Sequence, residues 1–165
     1  MAPRACDGFR WRRRDQPAPH SVLLRQTIAA DQETVWRALT EPAALGAWLG
    51  RYKGPPLQPG ARFRLWHDGT VPSRHEIAQW RPTRLLTMWD FPDEPPSLVR
   101  IGLEPAGTTT TVMLKHEGID DPVSYTAGWH VHLDFLAHYA EGNPRSLEHF
   151  WNDYETLLRR NDTSA

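Results

Sequence analysis

The longest stretch of the sequence with a helical hydrophobic period is residues 125–140, YTAGWHVHLDFLAHYA. At about 100° per residue, an apolar stripe and a polar stripe fall on opposite faces of this predicted helix. The apolar stripe consists of Trp129, Leu133, Leu136 and Ala140, and the polar stripe of His130, Asp134, His138 and Glu141. An isolated helix of this length is only marginally stable in water, so its apolar stripe must pack against another part of the chain.

Two side chains with polar tips, His132 and Tyr139, fall beside Leu136 on the same helical wheel. They point in the same direction as the apolar side chains that anchor the helix. A surface of this kind lines a ligand cavity in some proteins and forms an ordinary core in others. The helix therefore indicates a binding module without identifying its ligand.

The partner of this helix is predicted to be a β-sheet, because most of the remaining chain has strand character. Alternating apolar and polar residues predict strands at residues 21–28, 61–67, 70–80, 85–91, 98–104 and 108–116. The last five of these strands are joined by short turns, such as the one at Asp68-Gly69, and form an antiparallel meander. The first strand brings the predicted total to six.

Short helices and loops complete the predicted architecture. Two short helices follow the first strand, the first of them capped by Asp31, and residues 50–60 are predicted to be a loop because they contain three glycines and three prolines. Gly142-Asn143-Pro144 interrupts the long helix, which is predicted to continue from about Ser146 after a kink or short loop. The predicted class is α+β, with the long C-terminal helix packed across a curved antiparallel sheet of about six strands.

Composition limits the kinds of partner. The chain has 165 residues, of which 39% are hydrophobic and 24% charged, as is typical of one globular domain with a single core. A net charge of −1 provides no long-range field that would favour nucleic acid or an anionic membrane. The single cysteine, Cys6, rules out an internal disulfide, and no segment approaches the roughly 20 apolar residues of a membrane span. We expect a cytoplasmic protein with no nucleic-acid or membrane partner.

Residues 1–20 differ from the rest of the chain in charge. They contain five arginines but only two acidic residues, so they form a basic patch on a mildly acidic body. Without periodic apolar residues they are predicted to be a disordered extension, although their charge would also suit an acidic partner or RNA. The predicted organisation is this extension at residues 1–20, one folded domain at residues 21–160 and a tail at residues 161–165.

No motif indicates a cofactor or a metal, and neither is predicted. The sequence has no glycine-rich phosphate loop, dinucleotide fingerprint or GxSxG elbow. His130 and His132 are two residues apart, which on a helix separates them by about 200° and prevents them from binding one ion. His67 and His75 lie on neighbouring predicted strands, but the spacing reveals no third ligand.

Five segments, in chain order, resemble the START and Bet v 1-like superfamily and, within it, the subfamily named after the C-terminal domain of the activator of Hsp90 ATPase. They are RQTIAADQETVWRALTEPAALGAWLG (25–50), GARFRLW (60–66), RPTRLLTMWDF (81–91), LEPAGTTTTVMLKHEG (103–118) and GWHVHLDFL (128–136). The resemblance implies a helix-grip fold with a cavity for an apolar or amphipathic molecule between the sheet and the C-terminal helix. Some members of the superfamily are polyketide aromatases or cyclases, and many members of the subfamily have no assigned reaction.

The predicted function is the binding of a small hydrophobic or amphipathic ligand in this cavity. Tryptophans are expected to supply apolar contact and histidines to orient the ligand. The candidate ligand-binding residues are Trp48, Trp66, Trp89, His116, Trp129, His132 and Leu136. Trp66 alternates with Phe63 and Leu65 along its strand, so it is the candidate that could face outward.

Two other functions stay open at this point. A polyketide cyclase or aromatase would use the same cavity, with His116 and His132 as acid and base, but these histidines are more simply explained as satisfied polar groups at the ends of the core. No catalytic residue is assigned. The third alternative is a protein-interaction module related to Hsp90 co-chaperones, which would bind a protein partner or form a homodimer. The sequence shows no N-terminal partner domain like that of the Hsp90 activator, which counts against this alternative.

Overall fold

The computed structural model describes residues 20–67, 69–81 and 83–162, with Asp162 described by its backbone alone. Almost all of the predicted basic extension and most of the predicted tail lie outside these ranges. The strands are β1 (Ser21–Ile28), β2 (Arg51–Lys53), β3 (Arg62–Trp66), β4 (Pro72–Arg81), β5 (Arg84–Asp90), β6 (Ser97–Ala106) and β7 (Thr109–Glu117). The helices are α1 (Gln32–Thr40), α2 (Pro42–Trp48), α3 (Pro122–Ala140) and α4 (Phe150–Asp162), and a short 3-10 turn (Leu147–His149) precedes α4.

All the strands form one antiparallel sheet in the order β1-β7-β6-β5-β4-β3-β2. This order is the predicted meander with β1 added beside β7, so the α+β helix-grip class is confirmed. Side chains alternate between the two faces of the sheet, as in β3, where Phe63 and Leu65 are buried and Arg62 and Arg64 are exposed. Among the described helices, none has both the length and the hydrophobicity needed to cross a membrane.

The described part of the chain has one strand more than the sequence predicted. β2 lies inside the predicted loop at residues 50–60 and pairs with β3 at the edge of the sheet. Three residues between two glycines are too few to reveal period-two alternation, which is why the sequence did not predict this strand. Gly50 is required at its start, because a Cβ atom there would lie 2.8 Å from the carbonyl oxygen of Trp66.

Helix α3 is the predicted long helix, and it begins three residues earlier than expected, at Pro122. It contacts β1, α1, α2 and α4. Trp129 and Leu136 are buried and His130 is exposed, as the helical wheel predicts. Phe135 lies outside the predicted stripe and is buried as well, because α4 covers that side of the helix with Phe150, whose ring centroid is 6.3 Å away.

The start of α3 is fixed by Asp121, whose Oδ1 accepts a hydrogen bond of 3.1 Å from the backbone N–H of Ser124. Its Oδ2 accepts a second bond of 2.6 Å from the Ser124 hydroxyl. Removing the cap with Asp121→Ala should therefore lower the free energy of unfolding by about 1 kcal/mol, measured by urea denaturation. Asp121→Asn keeps an N-cap acceptor and is the matched control. An Asp121→Ala variant as stable as the wild type would show that the cap does not stabilise the protein.

Helix α4 folds back along α3 and does not continue it. Tyr154 approaches Gly128 and Phe150 approaches His132, so the two helices run antiparallel. The reversal occurs in the loop after α3, where Gly142 has a φ of +80°, a conformation that glycine adopts without strain. Arg145 holds this loop in place with ion pairs of 2.8 Å to Asp134 on α3 and 2.7 Å to Asp153 on α4.

Candidate functional site

A cavity of about 220 Å³ lies between the sheet, α3 and α4. Nine of its twelve lining residues carry a ring: His67, Trp89, Phe91, Tyr125, Trp129, His132, Phe150, Trp151 and Tyr154. The other three are Glu94, Ser124 and Gly128. These twelve residues define the aromatic cavity, and its lining contains no lysine, arginine or aliphatic side chain. An apolar cavity of about 150 Å³ can hold benzene, so this space can hold a larger ring system.

Trp89 and Trp129 form the contact between the sheet and α3 at the base of this cavity. Trp89 belongs to β5, where it is buried on the same face as Leu85 and Thr87. Its ring centroid lies 5.3 Å from that of Trp129, with the two planes at 61°. Such an edge-to-face arrangement is favourable for aromatic rings and fixes both of them.

Behind these tryptophans, His116 of β7 is the centre of a hydrogen-bond chain that links Trp129 to the backbone of Trp89. Its Nδ1 accepts from the Trp129 indole N–H at 3.0 Å, so the ring proton must lie on Nε2, which donates to the Ser97 hydroxyl at 2.8 Å. Ser97 in turn donates to the backbone carbonyl of Trp89 at 3.1 Å. Burial lowers the pKa of His116 to about 4, so the ring is neutral near pH 7. Both of its nitrogens are used within the core.

His132 lies on α3 in the wall of the aromatic cavity and is also neutral near pH 7. Burial, followed by the electrostatic effect of His67, lowers the pKa of His132 to about 3. Its Nδ1 is 3.1 Å from the backbone carbonyl of Trp48. Because a carbonyl can only accept, Nδ1 carries the proton and Nε2 is left as a hydrogen-bond acceptor. The ring packs against Phe150 with a centroid distance of 4.4 Å, which links α3 to α4.

Two further histidines, His67 and His75, lie close together on the β3–β4 side of the cavity. Ser73 Oγ is 3.0 Å from His67 Nε2 and 2.7 Å from His75 Nε2, so one hydroxyl bridges the two rings. Burial and then the electrostatic effect of His67 lower the pKa of His75 to about 3. His75 also stacks on Phe63 at 4.8 Å. His67 and His75, which the sequence places on neighbouring strands, are thus linked through a serine. Within the described ranges, no cluster of three metal-ligating residues occurs.

Tyr125 and Glu94 meet at the rim of the cavity, where the phenol donates a hydrogen bond to the Glu94 carboxylate. Burial and this bond raise the pKa of Tyr125, so the phenol keeps its proton. The indole N–H of Trp89 is near enough to the phenol to act in the opposite direction on that pKa. It nevertheless makes no hydrogen bond, and its Nε1 is buried without a partner among the described residues.

The structure brings together three of the seven predicted site residues, Trp89, Trp129 and His132, in the lining of the aromatic cavity. His116 lies directly behind that lining. Trp48 is buried below it, with its indole N–H donating to the carbonyl of Ala38 at 2.8 Å. Leu136 is fully buried in the core.

Trp66, the remaining candidate, does not line this cavity. It lies on the face of β3 opposite Phe63 and Leu65, and its ring is covered by the guanidinium of Arg51 at 4.4 Å. This position agrees with the alternation noted in the sequence. The fully buried Leu65 occupies the inward position beside it.

Sequence reasoning did not identify the wall that α4 contributes. Phe150, Trp151 and Tyr154 all line the cavity and are spaced so that they share one side of a helix. This spacing was a detectable signal, but it does not show that α4 turns back onto α3. Phe91 and Glu94 were also missed, since they follow β5 in a proline-rich loop with no periodic pattern.

A curved antiparallel sheet that grips one long helix, with a cavity between them, places the chain in the START and Bet v 1-like superfamily. Within this class, the family model for activator of Hsp90 ATPase homolog 1-like proteins matches residues 29–141. The chain therefore belongs to that family. The match ends before α4, so the aromatic wall formed by Phe150, Trp151 and Tyr154 lies outside the matched segment.

Three solved structures show the same fold. CalU16 from Micromonospora echinospora is 26% identical with a TM-score of 0.69, and the similarity covers 85% of this chain and 84% of CalU16. DynU16, a protein of the dynemicin biosynthetic locus, is 24% identical with a TM-score of 0.70 over 77% of this chain and 49% of DynU16. The Aha1 dimer from Colwellia psychrerythraea is 19% identical with a TM-score of 0.64, covering 74% and 97%. No curated protein sequence matches the chain significantly.

Proposed function

We propose that the protein binds a small, uncharged, apolar or amphipathic molecule in the aromatic cavity. The observation that carries this proposal is the lining itself, in which nine of twelve residues present a ring. Ligand sites in proteins are mostly apolar concavities with a few polar groups that fix orientation. Here the polar groups are His132 and the Tyr125–Glu94 pair at the rim.

The contacts of the histidines favour binding over catalysis. A general base works best with a pKa near the working pH, whereas burial holds the pKa of His132 at about 3 and that of His116 at about 4. His116 has no free nitrogen for a substrate, because Trp129 and Ser97 occupy both of them. The cyclase-like alternative would need a residue with a different environment, and the cavity gives no support to the co-chaperone alternative.

Gly128 provides a way to test occupancy of the cavity. It lies inside α3, where glycine is unfavourable by about 1 kcal/mol relative to alanine, and a glycine at such a position often serves packing or function. A Cβ atom there would lie no closer than 3.9 Å to its nearest neighbour, Cε2 of Tyr154. The space above Gly128 therefore belongs to the cavity, and a larger side chain would occupy it.

We expect Gly128→Leu to fold but to lose binding of small apolar ligands, because its branched side chain fills the cavity. Gly128→Ala is the matched control and should be more stable than wild type by up to about 1 kcal/mol while still binding. The measurement is a thermal-shift titration with two neutral probes, 2-isopropenylnaphthalene and 1-decanol. At about a hundred times its dissociation constant, a ligand adds about 2.7 kcal/mol, which should raise Tm by roughly 5 to 10 °C.

Either of two results would contradict the proposal. The first is that neither naphthalene nor alkyl probes shift the Tm of the wild-type protein. The second is that the shift persists unchanged in Gly128→Leu, which would place the ligand elsewhere on the surface.

A further inference from the structure

We propose that the ligand of the aromatic cavity is an arene with a hydroxyl group, and that this hydroxyl donates a hydrogen bond to Nε2 of His132. This inference rests on the proposed function, because it assigns the chemistry of the ligand in the same cavity. It concerns one acceptor atom, the polar groups that compete with it and the rings that surround it.

His132 has one ring nitrogen that is engaged and one that is not. Its Nδ1 donates to the backbone carbonyl of Trp48 at 3.1 Å, which leaves a lone pair on Nε2. Among the residues that the structure describes, none makes a hydrogen bond to Nε2. Burial keeps the pKa of His132 at about 3, so no proton occupies this lone pair near pH 7. A ring nitrogen in this state accepts a hydrogen bond and cannot donate one.

This nitrogen is open to the cavity. Within the described ranges, Trp89 Nε1 is the only side-chain nitrogen or oxygen of a buried residue that is both closed off from solvent and without a hydrogen bond. Because His132 Nε2 also lacks a hydrogen bond, it is not closed off. The space beside His132 is the aromatic cavity, whose lining includes this residue. A ligand in the cavity can therefore reach Nε2 without breaking a hydrogen bond of the protein.

The neighbouring ring donors are committed elsewhere. The ring of His67 lies 5.6 Å from that of His132, but its two nitrogens are within hydrogen-bond distance of a backbone carbonyl and a serine hydroxyl. The indole N–H of Trp129 donates to His116 at 3.0 Å, and that of Trp48 donates to a backbone carbonyl at 2.8 Å. Since these three described rings offer no proton to His132, the donor for Nε2 has to come from the contents of the cavity.

Glu94 is a second acceptor in the lining, but its position makes it a weaker reader of a hydroxyl group. This residue is exposed at the rim, and its carboxylate already accepts a hydrogen bond from Tyr125. Water competes for the remaining lone pairs of an exposed carboxylate, whereas a hydrogen bond among buried rings is electrostatically stronger. We therefore assign the hydroxyl group of the ligand to His132.

The rings around His132 favour an aromatic ligand. The centroid of its imidazole lies 4.4 Å from that of Phe150 and 5.7 Å from that of Trp129, and Phe150 is parallel to Tyr154 to within 13°. Aromatic pairs gain energy beyond the burial of area when they stack with an offset or meet edge to face. A flat ring can make such contacts while its hydroxyl group, which lies in the ring plane, donates to Nε2. An alkyl alcohol would forgo the ring contacts.

The test compares three naphthalenes in isothermal titration calorimetry with the full-length protein. 2-Naphthol carries the donor, 2-methylnaphthalene replaces the hydroxyl by a methyl group of nearly the same size, and 2-naphthonitrile carries a group that accepts but does not donate. We expect 2-naphthol to bind about tenfold more tightly than either of the others. 2-Methylnaphthalene is the most hydrophobic of the three, so burial of apolar surface alone would give the opposite order.

His132→Asn keeps a side-chain N–H where Nδ1 donates to Trp48 and has no atom at the position of Nε2. The variant should lose the preference for 2-naphthol and still bind 2-methylnaphthalene, which is the internal control for its folding. Two-bond ¹H–¹⁵N spectra of the wild-type protein report on the same atom without a substitution. The resonance of the unprotonated Nε2 of His132 should shift upfield with 2-naphthol and hardly move with 2-methylnaphthalene.

The outcomes separate the two proposals. If none of the naphthalenes binds, the proposed function fails, and this inference fails with it. If 2-methylnaphthalene binds as tightly as 2-naphthol, the proposed function stands, but the cavity does not read a hydroxyl group. If 2-naphthol is preferred and the preference survives in His132→Asn, with no shift of Nε2 in the wild type, another acceptor such as Glu94 reads the hydroxyl group, and the assignment to His132 is overturned.

Discussion

Lowering the pH from 7 to 5 is expected to remove about 6 kcal/mol of stability, a large part of what holds a domain of this size together. Three buried histidines cause this loss: His75 and His132, each with a pKa of about 3, and His116, with a pKa of about 4. In the unfolded chain each would titrate near 6.5. The folded protein therefore excludes three protons that the unfolded chain takes up as the pH falls.

The sign of the effect follows from this difference in bound protons. Above pH 6.5 both states are neutral at these sites, and the histidines have no effect on stability. Below pH 6.5 the unfolded state is protonated and the folded state is not, so stability falls by about 1.4 kcal/mol per pH unit for each histidine. The loss ends once the pH is below the folded pKa values. At pH 5 it amounts to about 2 kcal/mol for each of the three groups.

Carboxylates change the stability of the protein at lower pH than the buried histidines do, so they do not obscure the histidine effect. The pKa of Asp121 is lowered by hydrogen bonds to Ser124, and that of Glu117 is lowered by Lys115 and Arg100 against the opposing effect of burial. A carboxylate with a lowered folded pKa stabilises the protein above its unfolded pKa. Its contribution is lost only as the pH falls below about 4.5. The change in stability between pH 6.5 and pH 5 therefore arises from the buried histidines.

Urea denaturation at half-unit steps from pH 7.5 to 5 measures this dependence. The free energy of unfolding should fall with a slope that steepens below pH 6.5 and corresponds to about three protons. His75→Gln should reduce the slope by about one proton, whereas His130→Gln, which changes an exposed histidine on α3, should leave it unchanged. A free energy that stays constant down to pH 5 would mean that the buried histidines protonate freely in the folded state.

The fold could be predicted from the sequence because its main elements are periodic. Alternation in segments such as residues 61–67 specifies which side of a strand is buried, and the structure agrees. The helical period of residues 125–140 predicted a buried stripe on α3, and the structure buries most of that stripe together with residues outside it, such as Phe135. Edge strand β2 has too few residues to show a period. The direction of α4 depends on a turn at Gly142 and on the ion pairs of Arg145, which join residues distant in sequence.

The candidate site could be predicted only in part, for a related reason. A period identifies the inward face of an element but not how deep each inward side chain lies. Trp129, His132 and Leu136 all belong to the inward side of α3, yet Leu136 lies in the core, and only the other two reach the cavity. His116 also faces inward, but its partners Ser97 and Trp129 come from other elements, so its role as a buried connector was visible only in three dimensions.

The hydrogen-bond chain through His116 should show strong energetic coupling between His116 and Trp129. His116→Leu removes the acceptor of the Trp129 indole and leaves that N–H buried and unpaired, which together with the lost bond to Ser97 should destabilise the protein by about 2–4 kcal/mol. Trp129→Phe removes the donor and leaves His116 Nδ1 unpaired. In the double variant neither group is left unpaired, so its destabilisation should be smaller than the sum of the two single losses by about 1–2 kcal/mol.

A double-mutant cycle in urea at pH 7.5 measures this coupling, because all buried histidines are neutral there and the titration effect is absent. Repeating the cycle at pH 5.5 adds an independent check. His116→Leu eliminates one of the three protons that the unfolded chain takes up, so its stability should decline less steeply with falling pH than that of the wild type. Additive single losses at pH 7.5, combined with an unchanged pH slope, would show that His116 is not the neutral link between β7 and α3. Coupling with a reduced slope would establish that the same buried ring both supports Trp129 in the cavity wall and makes the fold sensitive to acid.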